Sequence, residues 1–267
     1  MRELLRRSIT GIVYVLLLLS VVFLNSDAFD FLFMTFGLAC LYEFKKLVQI
    51  KGYYVFIAYL ALWWMFIYLI DDLDIVKILM ALTITVNLAL TTYLFSGGKM
   101  TLTLFQKYIA AIFYIGGGCI FLTMIPYHSE QFAKLLIVGV FVLIWVNDSF
   151  AYLVGKTLGK HKLFPKISPK KTIEGSLGGL IFALIAAYII STFEPILTRL
   201  EWMVLAVVIV IMGNLGDLLE SKFKRVAGVK DSGAILPGHG GILDRLDSLV
   251  FAAPFAYLIL ILFTYVP

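Results

Sequence analysis

The sequence predicts an all-α, polytopic integral membrane protein of about nine transmembrane helices, with its N-terminus in the cytoplasm. Three observations support that prediction. First, 61% of the 267 residues are hydrophobic and 15% are charged, with a mean hydropathy of +0.98. Soluble domains are about 45–50% apolar, so this chain lacks the polar residues to cover a globule of its size. Second, apolar runs recur along the whole chain, each near the roughly 20 residues that a bilayer requires. Third, lysine and arginine are shared unequally between alternate connections.

Taken in order, the runs are 8–24, 28–48, 53–70, 75–95, 107–125, 132–155, 174–192, 201–221 and 247–266. The first follows Arg2, Arg6 and Arg7, yet no small-residue cleavage site follows it, and Asn25, Ser26 and Asp27 read as a loop. It is therefore expected to be a retained span. With the N-terminus inside, the inner connections hold Lys45, Lys46, Lys51, Lys99 and Lys107. They also hold Lys156, Lys160, Lys162, Lys166, Lys170 and Lys171, and then Lys222, Lys224, Arg225, Lys230 and Arg245. Only Lys77, Lys134 and Arg199 fall outside, where Asp27, Asp30, Asp71, Asp72, Asp74, Glu130, Glu194 and Glu201 collect. Cytoplasmic loops retain positive charge, which fixes this orientation and puts the C-terminus outside.

No polar stretch is long enough for a soluble domain, and there is no internal repeat or pair of broken helices. Residues 1–100 read as scaffold helices, and residues 101–267 as the region that carries the chemistry. In the early spans Thr83, Thr85, Asn87 and Thr91 suit helix–helix hydrogen bonds. The Gly116-Gly117-Gly118 run suits close approach or a bend, and Cys40 and Cys119 suit buried packing.

The densest charge lies between Asp217 and Asp247, where carboxylates alternate with lysines and arginines. Carboxylates hold hard cations, and a cation with basic side chains holds phosphate. At a membrane surface this points to chemistry on a nucleotide or a phospholipid headgroup. Asn214, Asp217 and Glu220 share one helical face, which Ser221 and Lys224 extend. Gly213 and Gly216 leave room beside them for an ion or another helix. The bland alternative is a structural stripe in which Lys224 pairs with Glu220. Asp244 and Asp247 are spaced likewise at the next helix start, behind the turn Pro237-Gly238-His239-Gly240-Gly241. The backbone of Gly240 and Gly241, at a helix N-terminus, forms a plausible anion cradle, with His239 as a phosphate donor. His128 and His161 read as ordinary loop residues. In the sixth run Asn147 and Asp148 lie among apolar residues, and a carboxylate buried at that depth is a functional candidate by default. Lys170 and Lys171, beside Pro169 and ahead of a helix start at Thr172, suit phosphate contact.

These residues resemble a known signature. Ser221-x-Phe223-Lys224-Arg225, then Lys230-Asp231, then Pro237-x-His239-Gly240-Gly241-x-x-Asp244-Arg245-x-Asp247 is similar to that of the CDP-diacylglycerol synthases, also called phosphatidate cytidylyltransferases. Asn147-Asp148-Ser149 and Ser168-Pro169-Lys170-Lys171-Thr172 are similar to other elements of that family. The signature covers about a tenth of the chain.

The resemblance implies that CTP and phosphatidic acid give CDP-diacylglycerol and pyrophosphate, with Mg²⁺ and, in some members, a second cation such as K⁺. It implies a homodimer in a lipid bilayer, and no nucleic acid partner. The implied metal ligands are Asp217, Asp244 and Asp247 with Glu220. Lys224, Arg225, Lys230, Lys170 and Lys171 would stabilise the departing pyrophosphate. Asp231 would orient Lys230 or the cytidine, and Ser221, Lys222 and Arg245 would contact substrate. Two other classes fit parts of the pattern: an ion-coupled transporter, which would spread its acids around the midplane, and another CTP-using membrane enzyme such as a polyprenol kinase.

Overall fold

The computed structural model describes residues 2–95, 102–127, 131–238 and 240–265, with side chains from residue 9 to residue 264 of these. The described chain is helical apart from one small hairpin. Its elements are α1 (Arg2–Leu24), α2 (Ser26–Leu47), α3 (Tyr54–Leu69), α4 (Leu73–Phe95), α5 (Leu104–Tyr127) and α6 (Lys134–Thr157). The antiparallel strands β1 (Lys162–Phe164) and β2 (Ser168–Thr172) follow, then α7 (Ile173–Phe193), α8 (Arg199–Val226) and α9 (Leu243–Tyr265). Each apolar run of the sequence lies on a helix. Among the described residues, six helices, α4 to α9, are long and apolar enough to cross a membrane. The apolar part of α1, Ile9–Leu24, and α3 are shorter. In α2 the apolar run is interrupted by Asp30, Glu43, Lys45 and Lys46.

The basic connection between α6 and α7 is the main departure from the sequence reading. It folds as the β1–β2 hairpin because Leu163, Phe164 and Ile167 give it an apolar side. Phe164 packs edge-on against Phe95 at the end of α4, with centroids 5.8 Å apart. Thr172, at the end of β2, caps α7 by accepting from the Gly175 N–H at 3.1 Å, so the hairpin runs directly into the helix.

Helices α5 and α9 form the axis of the bundle. Of their apolar windows 72% and 78% are buried, against 22% for α7, which leaves a wide apolar face outward. Small residues allow this density. Gly117 lies against Thr83 of α4, and Gly118 against the Val250 backbone of α9. Gly213 and Gly216 admit Ser248, Phe251 and the Asp247 carbonyl of α9, so the room that the sequence leaves beside the α8 carboxylates is filled by a helix. Pro254 lies inside α9 and cannot donate to the carbonyl of Val250. Nearby, the Asn87 amide of α4 donates to the Phe251 carbonyl at 3.5 Å, in the manner by which neighbouring helices support a proline inside a membrane helix.

Long-range contacts sort the helix ends into two groups. At one end Thr10 of α1 donates to the Pro237 carbonyl at 3.1 Å. There too Glu43 of α2 meets the start of α9, and Lys222 of α8 meets the end of α4. At the other end Tyr127 of α5 donates to Asp30 of α2 at 2.7 Å, and Lys134 of α6 to the Phe23 carbonyl of α1 at 3.2 Å. We predict that Gly118→Val lowers the melting temperature in detergent, because a side chain there meets Val250 backbone that cannot rotate away. Overpacking of this kind costs about 1–3 kcal/mol. An unchanged melting curve would contradict the tight α5–α9 contact.

Candidate active site

The site is built at the first of these ends, where α8 finishes and α9 begins. Helix α8 closes on a glycine in the left-handed region: Gly228 has φ 74° and donates to the Arg225 carbonyl at 3.1 Å, while Val229 reaches the Lys224 carbonyl at 2.9 Å. This is the usual way for a helix to end sharply. Arg225 is exposed and donates to the Val229 carbonyl at 3.0 Å, so it supports the turn. The segment from Val229 to Ile242 then loops back, pinned by a Leu236–Gly240 bridge, and α9 starts at Leu243. Gly238 and Gly240, with φ 78° and 84°, make the reversal possible. His239 lies outside the described residues.

Lys224 joins the two helices. Its ammonium is ion-paired to Glu220 one turn back on α8 and to Asp244 of α9 at 2.6 Å. Asp244 is nearly saturated: its second oxygen accepts from Ser232 N at 2.9 Å and from Gly241 N at 2.7 Å, and it shares the single Ser232 Oγ proton, at 2.9 Å, with Glu43. Glu220 is 1% exposed and lies against Lys224. Beneath them Phe44, Tyr114, Phe223 and Phe251, from four different helices, interlock at centroid distances of 5.0–6.4 Å. This aromatic floor separates the charges from the apolar core.

The other carboxylates lie beside this pair, Asp217 one turn back on the same face of α8 and Asp247 one turn on along α9. Asp217 is ion-paired to Lys171 of β2 at 2.5 Å and accepts from Ser221 Oγ at 3.3 Å. Asp247 is buried, accepts from its neighbour Ser248 N at 2.7 Å, and is an electrostatic neighbour of Asp217, Lys224 and Asp148. Three carboxylates from α6, α8 and α9 thus converge, with Lys171 and Arg245 as the cations near Asp148. Asp148 is not enclosed as its place in an apolar run suggested. It is exposed into a cavity of about 220 Å³ lined also by Asp244, Arg245, Asp247, Ile144, Trp145 and, from α1, Thr10, Gly11, Tyr14 and Val15. A second, more polar groove of about 460 Å³ is lined by Lys230, Asp231, Gly233, Pro237, Gly238 and Gly240. Leu236 and Arg245 line both.

Several candidates lie elsewhere. Lys222 is buried and donates to the Tyr93 and Leu94 carbonyls at 2.7 and 3.2 Å, closing the C-terminus of α4. Asn147 faces α7, where its oxygen lies against Gly179, and its amide donates to Asp148 at 3.2 Å. Lys170 is exposed on the hairpin. His161 holds Glu174 at 2.6 Å, which ties the hairpin to the first turn of α7.

Glu43 of α2 is the residue that the sequence reading passes over. It is 1% exposed and accepts from Ile242 N at 3.1 Å, Leu243 N at 2.8 Å and Ser232 Oγ at 2.9 Å. The argument from membrane depth that singles out Asp148 applies equally to this lone acid near the end of an apolar run.

Among the described residues, no three Asp, Glu, His or Cys side chains form a ready metal cage. That does not disqualify Mg²⁺, which is usually held by one or two carboxylates and completed by substrate phosphates and water. Asp247, which lines the cavity, and Asp217, whose exposed-side partner Lys171 a cation would share or displace, are hard oxygen donors on converging helices that fit such a partial site. Asp244 and Glu220, engaged by Lys224, fit it less well.

The profile of the cytidylyltransferase family matches residues 5–263. The chain is similar to the phosphatidate cytidylyltransferase of Bacillus subtilis strain 168, with 36% identity over 99% of this chain and 100% of that protein. It is similar also to that of Staphylococcus saprophyticus, with 45% identity over 57% of this chain and 58% of that protein. With the signature residues gathered where α8 meets α9 and a family match across almost the whole chain, the protein belongs to the cytidylyltransferase family.

Proposed function

We propose that the chain makes CDP-diacylglycerol and pyrophosphate from CTP and phosphatidic acid, on the cytoplasmic side of the membrane. One observation carries this reading: a cavity walled partly by apolar side chains of α1 and α6, and a polar groove under the glycine-rich loop, share Arg245. A lipid phosphate and a nucleotide triphosphate can meet only where such compartments join. The lipid is placed in the first, its glycerol and acyl chains along Val15, Ile144 and Trp145. The triphosphate is placed in the second, against Lys230, Arg245 and the Gly240 backbone; the Gly241 N–H of the cradle expected from the sequence is taken by Asp244.

In the reaction an oxygen of the phosphatidic acid phosphate attacks the α-phosphorus of CTP. The bond from that phosphorus to the bridging oxygen breaks, and pyrophosphate leaves with the electron pair. A phosphate monoester is largely ionised near neutral pH, with a second pKa of about 6, so no strong base is needed. The work is in-line placement and charge neutralisation. Asp217 and Asp247 would hold Mg²⁺, which when bound supplies positive charge to the transferring and leaving phosphates. Lys171, held beside Asp217, adds a cation on the hairpin side, and Lys170 and Lys230 draw the nucleotide in. Lys224 stabilises the carboxylates rather than the substrate. Asp231, exposed at the groove, orients Lys230 or the cytidine.

The same reading includes nine spans with the N-terminus inside. The sorting of helix ends supports it, since every basic connection that the described contacts locate lies at the end that carries the site. The resemblance further suggests a homodimer and a second cation such as K⁺ in this reaction. A transporter is not favoured, because the carboxylates gather at one end of the bundle rather than around its middle.

Purified protein given labelled CTP, phosphatidic acid and Mg²⁺ is expected to form a labelled liponucleotide, and ATP is not expected to replace CTP. Its absence would sink the reaction. Asp217→Asn and Asp247→Asn are each expected to lower kcat about a hundredfold or more in protein that still melts cooperatively. Near-normal turnover in either would remove it from the metal site. Lys170→Ala is expected to raise KM for CTP more than KM for lipid, and unaltered CTP dependence would take the hairpin out of nucleotide binding.

A further inference from the structure

Glu43 is a buried carboxylate that the reaction above does not use. It comes from α2, some two hundred positions from its partners, and touches both ends of the loop that lines the nucleotide groove. At the near end it accepts from Ser232 Oγ, and at the far end from Ile242 N and Leu243 N. Gly233 and Gly241 lie so close to its carboxylate that a Cβ at either would strike it. Two loop ends, two glycines and two N–H groups of a helix start therefore converge on one side chain.

Its chemistry suits the task. The first N–H groups of a helix have no partner within the helix and carry partial positive charge. A desolvated carboxylate aimed at them makes short, charge-assisted bonds. Asp244 ties the same loop from within, through Ser232 and Gly241, but it belongs to the segment that it ties. Glu43 belongs to the scaffold and fixes where that segment sits.

We propose that Glu43 is a positioning residue for the nucleotide: it clamps the two ends of the loop between Ser232 and Leu243 to the helix bundle, so that the Gly240 backbone and Arg245 face the triphosphate of CTP. This rests on the reaction proposed above. Glu43→Gln preserves size but turns one acceptor oxygen into a donor that confronts an N–H or hydroxyl donor. Asp244 still ties Ser232 and Gly241 in that variant, so the loop loosens without coming free.

The test uses the full chain in detergent with CTP, Mg²⁺ and phosphatidic acid. For Glu43→Gln, KM for CTP is expected to rise about tenfold, the scale of a lost hydrogen bond to a charged group, while KM for phosphatidic acid stays near wild type. Glu43→Asp, charged but one methylene short of its partners, is expected to shift the same way. Wild-type KM values for both substrates, or an equal rise in both, would overturn the proposal, because a purely structural role lowers the amount of folded enzyme without singling out CTP. Should Glu43→Gln not fold, Ser232→Ala removes one of its partners and is expected to raise KM for CTP about threefold; an unchanged value overturns the clamp. Stabilisation by CTP in a thermal melt separates this inference from the reaction. If wild type is stabilised by CTP but forms no liponucleotide, the reaction is wrong, and loss of that stabilisation in Glu43→Gln still supports the clamp.

Discussion

Lys224 between Glu220 and Asp244 is the contact on which the rest of the site depends. A lone carboxylate at membrane depth costs about 3 kcal/mol on insertion scales, and this protein brings several to one place. A single ammonium joining the end of α8 to the start of α9 offsets two of them. Because Asp244 also takes two N–H groups from the loop and shares the Ser232 hydroxyl with Glu43, the bridge holds the loop as well as the helices. Breaking such a buried pair strands a charge, and the loss commonly reaches about 3–5 kcal/mol.

The division of labour among the carboxylates follows from this. Glu220 and Asp244 are committed to Lys224, and Glu43 to the loop ends, so they shape the site. Asp217 and Asp247 lie beside them near Asp148, Asp217 paired with Lys171 of the hairpin and Asp247 lining the cavity. In the proposed reaction the signature residues thus separate into a set that builds the loop and a set that would face substrate, although they alternate along the chain. Gly213 and Gly216 make the separation possible by letting α9 lie against α8 at the depth of the carboxylates.

Much of this was legible in the sequence because it follows from short-range pattern. Apolar run length located the helices, and the i, i+3 spacing placed Asp217 with Glu220 and Asp244 with Asp247. The Lys224–Glu220 pair, weighed as a bland alternative, is present, and Asp244 joins it. What the sequence did not disclose depends on contacts between distant segments. Lys222 reads as a substrate cation until α4 is seen to end beside it. Glu43 lies in the first hundred residues, read as scaffold, and only the fold brings it to Leu243. The hairpin was hidden because its lysines and prolines outweigh Leu163, Phe164 and Ile167 in composition, while those three residues decide its packing.

The central claim is that Asp217 and Asp247 together form the cation site, with Lys224 reserved for structure. The most direct measurement is anomalous diffraction from crystals of the protein grown with Mn²⁺ and a non-hydrolysable CTP analogue. The account predicts an anomalous peak bordered by the Asp217 and Asp247 carboxylates and by analogue phosphates, with Lys224 still held between Glu220 and Asp244. A peak enclosed by Glu220 and Asp244 with Lys224 displaced, or one remote from both helices, would contradict it.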